Sequence, residues 1–532
     1  MVIATVAGAC RREAGVSPRA SQHSDLRAGL ASVVNAKAVP AFVVRSRTGR
    51  RLWSATREFY QKRSFAPVWL DRTAPAQRAD ALIDALLHAG SDALNPARYG
   101  ASELARMRDD LSRANGQAEH DRAAVAFDAR LTYLYFQYAN DVENGTTEGH
   151  TERWKMRAPA FDPVASLEQA LADDCVDATL QALQDRDPEY AALRKALARY
   201  RSIASGGGWP ELPAAFRLKA GDHSPLIPVL AKRLAATGDY PRGDHSRAVY
   251  DDDLQNAVKR FESRHGLTAD GVVGKAVVEA LNVPAAERVR QIELNMERRR
   301  WLPVDLGARY VFVNVPEYRL EVHDHGNVPL AMRVIVGRKD AQTPAFSSEM
   351  NSVVLAPFWN IPTDIAENET LPSAMRDPEF FERTNMEVVD RRGRRVDPDS
   401  VDLSDPSEYR IRQRPGASNS LGLVKFMFPN PYNVYLHDTP ADHLFTRETR
   451  TFSHGCIRIE EPEKLAQYVL SDQPEWTPDR IRTAMDARTQ TTVTLREKIP
   501  VYITYFTVRA SSDGNVMFFR DVYGRDSRRG AP

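Results

Sequence analysis

Cysteine is scarce: Cys10, Cys175 and Cys456 are the only three in 532 residues, and no C-x-x-C spacing joins any of them. They are too few and too scattered for a disulfide framework, and the missing spacing weakens a zinc reading. Long apolar runs are also missing, because no stretch reaches the ~18 residues that a membrane-spanning helix needs. A charge imbalance is missing too. The net charge is +1, from 72 Lys and Arg against 71 Asp and Glu, so nothing argues for a nucleic-acid partner. Aromatic residues at 8% and charged residues at 27% are ordinary for a globular chain. At ~150 residues per domain, the length predicts about three or four domains.

Against this background, one cysteine stands in notable company: Thr451-Phe452-Ser453-His454-Gly455-Cys456-Ile457-Arg458-Ile459. His437 stands 19 positions before Cys456, at the end of the apolar run Tyr432-Asn433-Val434-Tyr435-Leu436. A cysteine nucleophile needs a base to form the thiolate, and a third group to fix the tautomer of that base. His437, at the mouth of a strand-like run, is the candidate base. Gly455 lets the backbone approach a substrate closely. In an extended segment His454 and Cys456 would share a face. The N–H groups around Gly455 and Cys456 would then be free to point at an oxyanion. Two plainer readings stand beside this one. A lone cysteine is usually a small buried hydrophobe, and two histidines with a cysteine make three zinc ligands.

Taken together as H-x15-S-H-G-C-I-R, these residues resemble the signature of the L,D-transpeptidases, whose catalytic domain is called YkuD-type. Arg458, where Asn is commoner, resembles the large multidomain YcbB-type branch. So do Val336-Gly337-Arg338 with Thr343-Pro344, Phe358-Trp359-Asn360-Ile361-Pro362, and the terminal Tyr523-Gly524-Arg525-Asp526. A second motif is independent of these. Phe261-x4-Gly266-Leu267-x2-Asp270-Gly271-x2-Gly274 resembles the peptidoglycan-binding type 1 module, a three-helix unit.

The expected architecture is multidomain α+β. Residues 1–51 form a lead-in. Within it Val2 to Cys10 is short, apolar and small-residued, and resembles the end of an export signal or a lipoprotein signal, so anchoring by an N-terminal lipid or signal is an expectation. Residues 52–205 are expected as a helical scaffold, with apolar stripes at helical spacing in 76–88 and 120–144. The binding module is placed at 214–283 and a connecting helix at 284–307. The run Glu297-Arg298-Arg299-Arg300 of that helix is read as a solvated, salt-bridged end. At Tyr310 the period changes to two, which opens a mostly β catalytic domain over 308–498. A polar insertion at 371–420 is expected to cap the site. A C-terminal extension follows at 499–532.

The resemblance implies that Cys456 is acylated by a peptidoglycan stem peptide, that His437 moves the proton, and that a diaminopimelate amine resolves the thioester. Ser453, His454 and Gly455 would shape the oxyanion pocket, and Arg458, Tyr435 and Trp359 would bind substrate. No cofactor or metal is implied. The implied partners are tetrapeptide donors and diaminopimelate acceptors, and the implied location is the periplasm or cell envelope. L,D-carboxypeptidation, attachment of a wall protein, a non-catalytic wall-binding scaffold and a zinc hydrolase using His437, His454 and Cys456 stand as alternatives. Asp438 adjoins His437, but strand neighbours face opposite ways, so the sequence assigns no third member of the triad.

Overall fold

A computed structural model describes residues 23–526, apart from 72–73, 112, 115, 148–153, 157–160, 185–186, 241–247, 378 and 401–408. The signal-like stretch Val2 to Cys10 lies outside the described residues. No helix among those described is long and apolar enough to cross a membrane.

The period-two segments close into a ring of strands. The hydrogen-bonded order runs Val424–Met427, Leu436–His437, Ile457–Ile459, Asn327–Gly337, Arg319–Asp324, Arg309–Asn314, Thr491–Thr504, Ala345–Leu355. The last of these returns to the first, because Leu355 pairs with Val424 and Val353 with Phe426. A closed sheet has no free edge to template aggregation. Its alternate residues Val311, Val313, Leu320, Val322, Val334 and Val336 are all buried. Each contributes roughly 1.5–3 kcal/mol relative to exposure. The helices Pro462–Val469 and Pro478–Met485 send Leu465, Val469, Ile481 and Met485 into the same core.

N-terminal to this domain stands a helical unit built around the 28-residue helix Gln117–Asn144, which is buried along most of its length. Its buried Asp128 accepts hydrogen bonds from the Tyr60 hydroxyl and from the Val68 and Trp69 amides. A small unit of three helices follows, Ile227–Ala236, Asp252–Arg264 and Lys275–Leu281, with Leu254, Ala257, Val258 and Phe261 of the middle helix in its core.

The helix Ala285–Arg300 joins these units, and here the structure corrects the sequence reading. The run at its end is salt-bridged but buried, not solvated. Arg298 meets Asp526 at 2.7 Å, Arg299 meets Asp187 and Glu189, and Arg300 meets Glu297 and the Tyr190 hydroxyl. Glu297 also accepts from the Thr146 and Thr147 amides. Arginines spaced for i,i+4 pairing look the same whether their partners lie on their own helix or on other units, so the spacing alone misled.

The cap also begins earlier than Leu371. A separate four-stranded sheet runs Arg395–Val396, Met386–Asp390, Tyr409–Gln413, Trp359–Asn360. Trp359 pairs with Gln413, so the chain leaves the barrel before Trp359. A helical stretch over 363–374, with a π turn at Ala366–Thr370, then crosses above the cysteine loop. Arg391 to Arg395 sit at the exposed turn of a hairpin, where Arg394 pairs with Asp390.

Candidate active site

Cys456 occupies a bend between the strands Thr451–Ser453 and Ile457–Ile459. Gly455 takes φ +114°, a conformation that side chains resist. Position 454–456 is therefore a bend rather than an extended segment, and simple alternation does not govern it. Ser453 is buried, and its hydroxyl donates to the Cys456 carbonyl and accepts the Gly455 amide at 3.1 Å. Ser453 and Gly455 both line the cleft that holds Cys456, as expected of pocket residues, but one expectation is corrected. Ser453 braces the turn from within, and the Gly455 N–H is already committed to it.

The turn is held from outside by Thr343. Its hydroxyl donates to the Gly455 carbonyl at 2.8 Å and accepts from the Gly337 amide at 2.9 Å. The Tyr523 hydroxyl donates to the Gly337 carbonyl at 2.6 Å and accepts from the Thr343 amide, so the C-terminal segment buttresses the same loop. A Cβ on Gly337 would strike the Ala341 carbonyl oxygen and lie 3.0 Å from Gly455 Cα.

His437 is paired with Arg458 in the parallel ladder and with Lys425 in the antiparallel one. Its Nδ1 lies 2.6 Å from the Asp438 carbonyl oxygen. A carbonyl only accepts, so Nδ1 carries the proton and Nε2 is left as the acceptor in the neutral ring. The group that fixes the tautomer is thus a main-chain carbonyl. The Asp438 carboxylate points elsewhere and accepts the Leu423 and Thr439 amides. Burial pushes His437 down to about 3, and Arg458 and Lys425 add to the effect. The imidazole is therefore neutral near pH 7.

In this conformation the Cys456 thiol donates to the Asn433 carbonyl at 3.6 Å. Burial pushes the thiol pKa up, and the main chain and hydroxyl of Tyr435, then Arg458 and Lys425, pull it back. His454 lies at the other edge of the turn, with Nε2 2.7 Å from Glu369 of the cap's π turn. Glu369 also meets Arg338 at 3.5 Å. Cys456, His437, His454, Arg458, Tyr435 and Trp359 all line one cleft of roughly 960 Å³ between barrel and cap. Among the described residues, no three His, Cys, Asp or Glu side chains are grouped to hold a metal ion.

Sequence reasoning missed Glu369, Lys425 and the Asp438 carbonyl. Lys425 did leave a signal, as a lysine inside the apolar run Val424-Lys425-Phe426. A main-chain carbonyl leaves none.

A cysteine on a strained turn and a buried histidine with a fixed tautomer, lining one cleft beneath a cap, make this the candidate active site. Comparison with known families gives the kind. Residues 308–503 match the family model described as L,D-transpeptidase catalytic domain, residues 223–281 match "Putative peptidoglycan binding domain", and residues 54–197 match "Scaffold domain". The chain thus carries a YkuD L,D-transpeptidase catalytic domain and a peptidoglycan-binding type 1 domain. A Haemophilus influenzae protein named "Putative L,D-transpeptidase" is 35% identical over 240 residues, which cover 44% of this chain and 48% of that protein. The match therefore spans about half the length of that relative. Among solved structures, L,D-transpeptidase 1 of Mycobacterium tuberculosis is 15% identical with a TM-score of 0.16, covering 37% of this chain and 61% of that one. An L,D-transpeptidase from Xylanimonas cellulosilytica is 15% identical with a TM-score of 0.17, covering 55% of this chain and 100% of that one. At such TM-scores the structural likeness carries no argument.

Proposed function

We propose that the chain is a peptidoglycan L,D-transpeptidase acting in the periplasm or cell envelope. The observation that supports this best is that Cys456 and a neutral His437, protonated at Nδ1, line one cleft inside the segment that matches the catalytic-domain model. The Cys456 sulfur attacks the carbonyl carbon of the third stem residue, the L-centre of diaminopimelate. Its proton passes to His437 Nε2 and then to the nitrogen of the departing D-Ala. A thioester remains. The side-chain amine of a second diaminopimelate attacks it, loses a proton to His437, and returns the thiol. The Cys456 N–H is the main-chain donor left for the tetrahedral oxyanion, a role typically worth ~3–4 kcal/mol. Arg458 suits a substrate carboxylate because its guanidinium offers two parallel hydrogen bonds. Tyr435 and Trp359 supply aromatic walls to the cleft.

The test is mass spectrometry of muropeptides after incubation with the purified chain and with Cys456→Ala. Dimers linked between third residues, formed by the parent and not by the variant, are expected. Tripeptide without dimers would assign carboxypeptidation instead. Identical products from both proteins would remove Cys456 from the reaction.

A further inference from the structure

Three side chains stand in one row across the barrel wall. Lys425 pairs with His437 across the antiparallel ladder, and His437 pairs with Arg458 across the parallel one. Residues in register on neighbouring strands project to the same face. The Tyr435 ring lies beside the imidazole, and Tyr435, His437, Cys456 and Arg458 line one cleft. The row is therefore cation, imidazole, cation, and its His437 and Arg458 line the same cleft as the thiol.

Neither cation has an acidic partner among the described residues. The Arg458 Nε is buried without a hydrogen bond. The Lys425 ammonium lies 5.7 Å from the centroid of the Tyr435 ring, which is itself 5.7 Å from the His437 ring. Pairing varies among the fully buried arginines of the chain, and Arg233 and Arg288 meet main-chain carbonyls and neutral side chains. Arg264, Arg298 and Arg300 each have a carboxylate within 2.8 Å. Half-burying positive charge without a carboxylate partner is costly, and both charges act to lower the Cys456 thiol, so the pair suits an anion that forms at the sulfur during work. The remaining charged groups near the thiol are occupied elsewhere. The Asp438 carboxylate faces the Leu423 and Thr439 amides, and Glu369 is engaged by His454 and Arg338.

We propose that Lys425 is a positioning residue for the acyl transfer. Its ammonium, seated against Tyr435 and opposite His437, supplies with Arg458 the fixed positive charge that stabilises the Cys456 thiolate and keeps His437 a neutral proton acceptor. The proposal rests on Cys456 being the nucleophile. The activated site is then a thiolate held by the Lys425 and Arg458 cations, with the Tyr435 side chain also favouring the charged sulfur. It is not a thiolate–imidazolium pair. The proton that leaves Sγ resides on His437 only in passing, since two neighbouring positive charges expel it to the leaving nitrogen. The directions of the titrations agree. The charge on Cys456 works to raise the Lys425 ammonium against its burial, and Lys425 works to lower both the thiol and the imidazole.

The experiment compares the parent full chain with Lys425→Met and Lys425→Arg. The readout is the rate of Cys456 alkylation by iodoacetamide as a function of pH, with peptide mass spectrometry separating Cys456 from Cys175. Lys425→Met is expected to raise the apparent thiol pKa by about one unit, which is roughly tenfold slower alkylation near pH 7, and to converge with the parent above that pKa. Lys425→Arg, which keeps the charge, is expected to restore most of the rate. Coincident profiles for parent and Lys425→Met would overturn the proposal. So would an arginine variant as slow as the methionine one, since that outcome assigns Lys425 to packing. Alkylation needs no peptide, so a parent chain inactive on stem peptides would count against the proposed function and not against Lys425.

Discussion

Replacing Thr343 by valine tests what holds the cysteine turn in place. The side chain is fully buried, and its hydroxyl serves two main-chain groups, the Gly337 amide and the Gly455 carbonyl. Valine keeps the shape and removes both bonds. Each buried main-chain group left unpaired costs about 1–3 kcal/mol, so the variant should lose roughly 2–6 kcal/mol. Serine keeps the hydroxyl and loses only a methyl group, about 1 kcal/mol. In a domain of this size that separates the two variants by on the order of 10 °C in melting temperature. A second effect is functional. With Gly455 released, the turn that aims Cys456 widens, and acylation by a carbapenem, whose strained carbonyl mimics the donor, should slow by about tenfold or more. Thermal unfolding and timed mass spectrometry of the adduct measure the two effects. A valine variant that melts within about a degree of the serine variant and acylates at the parental rate would refute the reasoning.

Gly337→Ala should be worse than its size suggests, because its Cβ meets the Ala341 carbonyl and Gly455 Cα; loss of carbapenem adduct with far-UV circular dichroism retained is the expected result. Glu369→Gln removes the charge that holds His454 and Arg338 to the cap; these groups are part-exposed, so stability should change by less than about 1 kcal/mol, while hydrogen exchange over 363–374 should quicken. His437→Ala should cut the acylation rate by about 10²–10⁴-fold and leave the pH profile of Cys456 alkylation in place, because an imidazole held near 3 carries no charge at neutral pH; a profile shifted upward in that variant would restore the imidazolium. In the binding module, burial raises Glu262 to about 7. A carboxyl raised on folding favours the native state at low pH and loses that contribution as pH rises from ~4.3, its free value, towards 7. Glu262→Gln keeps an acceptor for the Gly271 amide and does not titrate, so it should raise the melting temperature more at pH 8 than at pH 5.

The order of units and their types could be read from periodicity and two motifs, since helical stripes, the switch to period two at Tyr310 and the turn glycines are all local signals. Closure of the barrel was not legible. It depends on Val424–Met427 meeting Ser352–Leu355, two segments parted by the whole cap, and no local pattern records such a pairing. The same limit explains the site. His437 and Cys456, the proposed base and nucleophile, announce themselves because those roles need particular residue types. The group that fixes His437 is a carbonyl that any residue would provide, and the brace on Gly455 is a threonine 112 positions away. The charge around the thiol was likewise hidden. From the sequence, an imidazolium is the natural source of thiolate stabilisation, because histidine is the residue with a proton to share near pH 7. The ladders change that argument. They set His437 between Lys425 and Arg458, and a ring flanked by two cations in a buried wall does not hold a third positive charge. On the proposed reading the thiolate is stabilised by Lys425 and Arg458, and register, not residue type, is what sets them on either side of His437.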